Sequence, residues 1–393
     1  MSLASRAWQR NAFNFISDWV LPAGLFCLLT GLAWLGERNQ YHKLFYALMA
    51  APALIAFLLQ PAQALRVLRT PVTLAFIAFS AWALLSIAWS DTDESVNTLL
   101  KRPLYIIMLF VACALMARNN CSRLLAAIYL AALVMIPITG YSLFDFAHNY
   151  SEGARLIGSG ALDNPLLSSH LFGFFCILWL GWAMTASPKN SLFALPALAL
   201  LFIALLATGS RTPLVATALA CMWMVACCWD KRALLLSAIS VGIVSCLLLL
   251  YPESLLSRGT SYRLDIWHLA LEQIWLHPMI GHGFDASHSF FTPALGYALR
   301  EPHSFFLGVL FYTGFVGGLC WLFMHASALW ICWRRRSDVC FIIAGALVLY
   351  GLGAGLTEGG GILPRPKEHW LLTWIPLAWV ATLSIGRQEE KST

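Results

Sequence analysis

Apolar runs of about 20 residues, parted by short polar breaks, recur from one end of this chain to the other. Each is long enough to cross a bilayer as a helix. Only helices and closed barrels satisfy every backbone N–H and C=O in hydrocarbon, so the runs exclude a soluble fold at once. The charged fraction agrees: 11% of the 393 residues are Asp, Glu, Lys or Arg, against about 25% in a soluble domain. The expected architecture is an all-α polytopic membrane protein. The first run, from Trp19, lacks a small-residue cleavage site and is expected to be a retained span.

Twelve spans are expected, at about 19–36, 43–60, 71–89, 101–117, 124–144, 166–186, 191–208, 212–229, 233–251, 303–333, 338–356 and 369–385. Residues 1–251 then carry spans 1–9, residues 252–302 form one long loop, and residues 303–393 hold spans 10–12 and a short tail. With the N-terminus in the cytoplasm, 14 of the 25 Lys and Arg fall in short inside segments, the run Arg334, Arg335, Arg336 foremost among them. The outer loops are acidic instead, as in "SDTDES" at 90–95. An even span count puts both termini inside.

The long loop contains "SYRLDIWHLALEQIWLHP", in which Leu264, Trp267, Leu271 and Ile274 recur at helical spacing. Thr260 or Ser261 can cap this helix and Pro278 ends it. It is short for a span, so it is expected to lie on the outer membrane surface. All but one of the eleven Cys lie in or beside apolar runs, which points to packing and against a disulfide framework or thiolate metal site. The net charge of +6 sits mainly in basic loops, and no soluble basic surface for nucleic acid is evident.

Three outer-face residues invite chemistry. Arg211 lies in "LATGSRTPLVATALA", at a tight turn between two spans broken by Gly209 and Pro213. It faces either lipid headgroups or a protein cavity. Arg263 stands at the start of the surface helix, where the helix end is already electropositive. A cation there is unfavourable unless an anion is present, and the plain alternative is a headgroup contact. His303 follows Pro302 and is expected within the first turn of span 10, neutral and able to take a proton from a hydroxyl; alternatively it is an interfacial His bonded to backbone or water. Two forked cations and one imidazole suit the departure of an anionic leaving group and attack by a hydroxyl. His282, His288 and His303 match no usual metal spacing, so no metal and no other cofactor is expected. Asn149-Tyr150-Ser151 is a chance-level glycosylation triplet.

"GSRTPL" with Arg211, "YRLDIWHLALEQIWLHPMIGHGF" with Arg263 and "EPHSFFLGVLFYTGFVGG" with His303 together resemble the O-antigen ligase family, which belongs with O-antigen polymerases and protein O-oligosaccharyltransferases. The resemblance covers most of the chain. It implies about twelve spans, cytoplasmic ends and a large periplasmic loop between spans 9 and 10. It further implies an inverting, metal-independent glycosyltransferase on the periplasmic face of the inner membrane. Such an enzyme moves a polysaccharide from undecaprenyl pyrophosphate to a sugar hydroxyl of the lipid A core. By match to the family motifs, Arg211 and Arg263 would bind the donor pyrophosphate, and His303 would orient or deprotonate the acceptor. Glu358, in "GLTEGGGILPRPKEHW", and Arg300 would be additional site residues.

Pyrophosphate leaves well once its charge is neutralised, so the two readings agree on chemistry. No P-loop or glycine-rich nucleotide motif is present. A twelve-span transporter or flippase would carry ionisable groups at mid-membrane, whereas here polar groups gather on one outer face. A polymerase would share the donor chemistry. A protein O-oligosaccharyltransferase often carries an extra soluble domain after its last span, which a chain ending at Thr393 does not suggest.

Overall fold

The computed structural model describes residues 3–185, 187–229, 231, 234–239, 242, 263–287, 289–291, 298–299, 301–359 and 361–389. Arg300, His288, the capping candidates Thr260 and Ser261, and most of the expected ninth span lie outside the described residues.

Among the described residues, seven helices are long and apolar enough to span: α1 (Arg6–Ala33), α2 (Arg38–Leu59), α4 (Pro71–Trp89), α5 (Val96–Leu115), α6 (Cys121–His148), α7 (Pro165–Thr185) and α11 (Phe305–Arg334). Between α2 and α4 runs the short α3 (Pro61–Leu68). Shorter apolar helices α8 (Pro188–Ala207), α9 (Thr212–Cys228), α12 (Val339–Gly355) and α14 (Trp374–Glu389) fall where further spans are expected. The surface helix α10 covers Arg263–Leu276, and a single turn α13 covers His369–Leu372. Phe290–Phe291 and Ala298–Leu299 pair antiparallel as β1 and β2 in the long loop.

Why these helices pack as they do follows from which faces are apolar. The apolar stretch of α7 is 83% buried, as befits a helix that is apolar all round. It packs on α8 and α12; α12 also carries α9 and α14 against it. The inner helices approach closely through small residues, as at Gly181 and Gly351. Outer helices such as α1 and α6 leave large apolar side chains outward, Trp19 and Leu130 among them.

Two features were not expected. The first is α11, which breaks at Gly314, with φ +62° and ψ −167°, a conformation essentially confined to glycine. Residues 278–283 dock into the break. His282 and Gly283 N–H donate to the Phe311 and Tyr312 carbonyls (2.8 and 3.0 Å), and Phe315 and Val316 N–H donate to the Pro278 and Met279 carbonyls (2.8 and 3.3 Å). The Trp82 indole N–H donates to the Thr313 carbonyl at 2.8 Å. The backbone groups freed by the break are thereby satisfied inside the protein, the condition for non-helical backbone among spans. Any side chain at position 314 would also stand 2.4 Å from the Met279 carbonyl.

The second concerns α10. It buries Ile266, Ala270 and Ile274, while Leu264 (58% exposed) and Leu271 (44% exposed) point away. Of the residues read as the apolar stripe, Ile274 is buried, whereas Leu264 and Leu271 remain exposed. Ala270 is small enough to let α10 settle on α11, and the larger leucines stay on the opposite side with exposed Trp275. An outward apolar face of this kind suits a helix lying on a membrane surface.

The acidic loop at 90–95 and the long loop meet on one face. Ser90 Oγ donates to the Phe284 carbonyl at 2.8 Å, Arg102 pairs with Asp285 at 2.5 Å, and Ser287 Oγ donates to Asp93 at 3.1 Å. Both were expected outside, and they line one cleft together with Glu301, two residues before His303.

Candidate functional site

Arg211 is the N-cap residue of α9, in the tight turn that follows α8. Arg155 braces that turn: its Nε and Nη2 donate to the Thr208 carbonyl (2.6 Å) and Ser210 Oγ (2.8 Å). Next to Arg211, the Thr212 hydroxyl meets that of Thr357 at 2.5 Å. This contact ties the turn to the loop after α12, in which Glu358 follows.

Glu358 is 6% exposed, and its carboxylate is engaged on both oxygens. Oε2 accepts from His170 Nε2 of α7 at 2.8 Å, and Oε1 accepts from the Gly359 N–H at 3.2 Å. His369 Nε2, at the start of α13, approaches Oε1 at 3.4 Å, an ion-pair distance without hydrogen-bond alignment. Burial pushes this carboxyl up, but the imidazoles of His170 and His369 outweigh it and hold the group below the ordinary carboxylate range.

Arg263 joins from α10. Burial lowers its pKa, the carboxylate of Glu358 raises it, and the like charge of Arg211 lowers it. Arg263 therefore lies within the field of both Glu358 and Arg211. A third cation, Lys367, feels Glu301, Glu368 and Glu358 as attractive charges, although burial is the larger influence and lowers its pKa.

His303 arrives beside this cluster through Gly359. A Cβ on Gly359 would stand 2.5 Å from Glu301 Oε2 and 3.4 Å from His303 Nδ1. A side chain at position 359 would push the Glu301 carboxylate aside, so the glycine suits the close approach of Glu301 and His303 to the Glu358 loop. His303 is not in the first turn of the helix, as was expected. The N-cap of α11 is Ser304, whose Oγ accepts from the Leu307 N–H at 3.5 Å, and His303 precedes it with φ +47°. The serine hydroxyl serves the helix end, and Pro302 shapes the approach to it, so the helix begins two residues after His303. A left-handed backbone at a non-glycine residue costs of the order of 1–3 kcal/mol and tends to persist where function holds it.

The structure thus brings Arg211, Arg263, His303 and Glu358 to one face around the loop 356–359. Arg300 lies outside the described residues. Of the other histidines weighed as ligands, His282 stacks on Phe311 (4.5 Å) and donates to the Gln273 carbonyl at 2.9 Å, so it serves the docked segment. His288 lies outside the described residues. Sequence reasoning missed His170, His369, Lys367 and Glu301. The first three could not be found from spacing; Glu301 stood two residues before His303.

His170, Glu358 and His369 present donor atoms within 4.8 Å of one another. Ligands at about 2.1 Å around a tetrahedral ion stand about 3.4 Å apart. The 2.8 Å His170–Glu358 distance is that of a hydrogen bond. As arranged, the trio is a carboxylate held by imidazoles. With Glu358→Gln, His170 loses an ionised acceptor and Arg263 loses an opposing charge, and breaking a buried pair of this kind costs about 3–5 kcal/mol. The variant is expected to melt at lower temperature than the wild type at pH 7. Because the folded carboxyl is depressed, its contribution is fully present above the ordinary glutamate value of about 4.3 and is lost as pH falls towards the folded value. The gap between the melting temperatures of the two proteins should therefore stay near constant from pH 7 down to about 4.3 and narrow only below that; a gap that already closes between about pH 7 and 5 would contradict the depressed carboxyl.

A cleft of about 710 Å³ adjoins the cluster, lined by Asp93, Glu94, Arg102, Asp285, Glu301 and Tyr312 among others. Carboxylates on such a wall can accept hydrogen bonds from hydroxyl-rich ligands.

Two comparisons bear on this arrangement. A family model described as O-antigen ligase matches residues 196–322, the stretch that holds Arg211, Arg263 and His303. A protein named O-antigen ligase from Pseudomonas aeruginosa is 43% identical over 382 residues, covering 97% of this chain and 94% of that relative.

Proposed function

The chain belongs to the O-antigen ligase family, and on that premise we propose that it joins a polysaccharide carried on undecaprenyl pyrophosphate to a sugar hydroxyl of the lipid A core, with inversion and without a metal ion. It is an integral membrane enzyme of glycosyltransferase type that uses a lipid-linked glycan donor. In the finer reading, twelve spans place both termini in the cytoplasm and the cluster around Glu358 at the periplasmic face of the inner membrane. The trio Arg334, Arg335 and Arg336, at the opposite end of α11, supports that orientation.

The acceptor oxygen attacks the anomeric carbon, the bond from that carbon to the diphosphate oxygen breaks, and the electron pair leaves with the diphosphate. Arg211 and Arg263 neutralise the departing charge, with fork geometry suited to phosphate oxygens. His303 takes the hydroxyl proton. Glu358 acts as a positioning residue: its buried carboxylate offsets part of the arginine charge and holds Arg263 near Arg211. The cleft beside Glu301 is wide enough for sugar residues of the glycan or the core.

The observation that carries this reading is that the turn holding Arg211 is tied to the Glu358 loop through Thr212 and Thr357, that Arg263 feels both Arg211 and Glu358, and that His303 lies across Gly359. Like charges held together at a half-buried place suit an incoming anion better than they suit a lipid-facing surface. Deleting the gene should leave the lipid A core uncapped while polymer accumulates on its carrier. Core capped with a single repeat would instead mark a polymerase. Purified protein given lipid-linked glycan and lipid A core should transfer at an unchanged rate in EDTA, since arginine neutralisation leaves no step that requires a cation. Loss of transfer in EDTA, restored by Mg²⁺ or Mn²⁺, would refute the metal-free chemistry.

A further inference from the structure

At the far end of α11 from His303 lies a second polar cavity. The helix runs thirty residues from Phe305 to Arg334, a rise of about 45 Å before allowance for the break. The cavity is therefore on the opposite face of the membrane and takes no part in the chemistry above. It measures about 650 Å³ and is lined by Arg66 and Arg69 near the end of α3, Arg334, Arg335 and Trp330 at the end of α11, and Ser384 of α14, together with smaller contributions.

We propose that this groove holds the phosphate of an anionic phospholipid. Four guanidinium groups border it, and no carboxylate is among its described lining residues. An arginine at a helix C-terminus is ordinary, since it complements the helix dipole, and arginines on this side also help set topology. Neither role requires arginines of two separate helices to converge on one hollow. Two of the four are pre-positioned. Arg335 donates to the Ser384 carbonyl (3.4 Å) and lies over the Phe341 ring at 5.4 Å. Arg334 lies over the Trp330 ring at 5.9 Å. Held stems lower the entropy lost when a phosphate binds the remaining N–H groups.

The same rim distinguishes a lipid from a free anion. Trp330 is 62% exposed and Leu65, beside Arg66, is 39% exposed. Tryptophan favours the headgroup level, where its ring touches acyl chains and its surroundings are polar. An acyl-bearing phosphate would meet arginines with its headgroup and this apolar rim with its chains. The volume lies within the usual range for a small-ligand site, about 300–1,000 Å³.

The test uses the purified full chain in a neutral detergent, with dioleoylphosphatidylglycerol, dioleoylphosphatidylcholine and inorganic phosphate as probes. Lipid retained by the protein is read by native mass spectrometry, and stability by melting temperature. Phosphatidylglycerol should be retained about tenfold or more over phosphatidylcholine and should raise the melting temperature, as expected where several cations meet an anionic headgroup. Inorganic phosphate alone should do neither. The variant with Arg66, Arg69, Arg334 and Arg335 all replaced by Gln should lose the preference. Because that variant could insert wrongly, the wild-type comparison decides by itself. Equal retention of the two lipids overturns the proposal, as does a correctly folded variant that keeps the preference. Stabilisation by inorganic phosphate with no lipid retained would assign the groove to a soluble anion and likewise end the lipid assignment.

Discussion

Arg263→Ala and Arg211→Ala are each expected to cut glycan transfer by about 10²–10³-fold, the usual effect of removing one donor aimed at developing negative charge. Their effects should not multiply. Both guanidinium groups act on one diphosphate, and groups that work as a unit show strongly non-additive losses. The double variant should therefore fall within about tenfold of the worse single one. Lysine at position 263 keeps the charge but loses the fork, so its rate should lie between those of the alanine variant and the wild type. Insertion and melting temperature should change little in the alanine variants, because both side chains are partly exposed at helix starts and neither lies inside a span. Transfer measured with purified components gives the rate, and a protease-accessibility assay checks insertion. A near-normal rate in either single variant would remove that arginine from the site.

His303→Ala should reduce transfer by about 10²–10⁴-fold, the range for a positioned general base. Free imidazole added to the alanine variant should restore part of the rate, which a purely structural histidine would not allow. The backbone provides a second readout. At φ +47°, alanine is still strained, whereas glycine is not. His303→Gly should therefore be more stable than His303→Ala by about 1 kcal/mol, yet equally slow. If both variants transfer at the wild-type rate, the proton goes elsewhere.

Much of this site could be read from residue order alone. Arg211 stood out because a tight turn between two apolar runs is a costly place for a cation. Arg263 stood out because it adds positive charge to an electropositive helix start. Both inferences are local, and both residues occupy the positions they imply. The helical position of His303 was misjudged by two residues, since Ser304 proved the better cap. The apolar residues of α10 divide between two sides, with Ile266 and Ala270 buried and Leu264 and Leu271 exposed. A helix with apolar residues on two sides offers two stripes, and only the neighbour that packs against it selects one.

The break in α11 shows the same division. "GFVGG" marks small residues through which spans can pack, but does not reveal that residues 278–283 would supply the hydrogen bonds that make a break tolerable. His170 was invisible as a site residue because it sits within an apolar run, 188 positions from the carboxylate it holds.

From the sequence by itself came the membrane class, the positions of most spans, and the gathering of charged groups outside them. Hydrocarbon imposes those through length and polarity, which are properties of consecutive residues. Only the tertiary structure decided which groups meet: Glu358 between two imidazoles, Arg263 within the field of Arg211, and His303 against Gly359. Such meetings depend on how helices far apart in the chain pack side by side, and no period or motif along one strand of sequence encodes that distance.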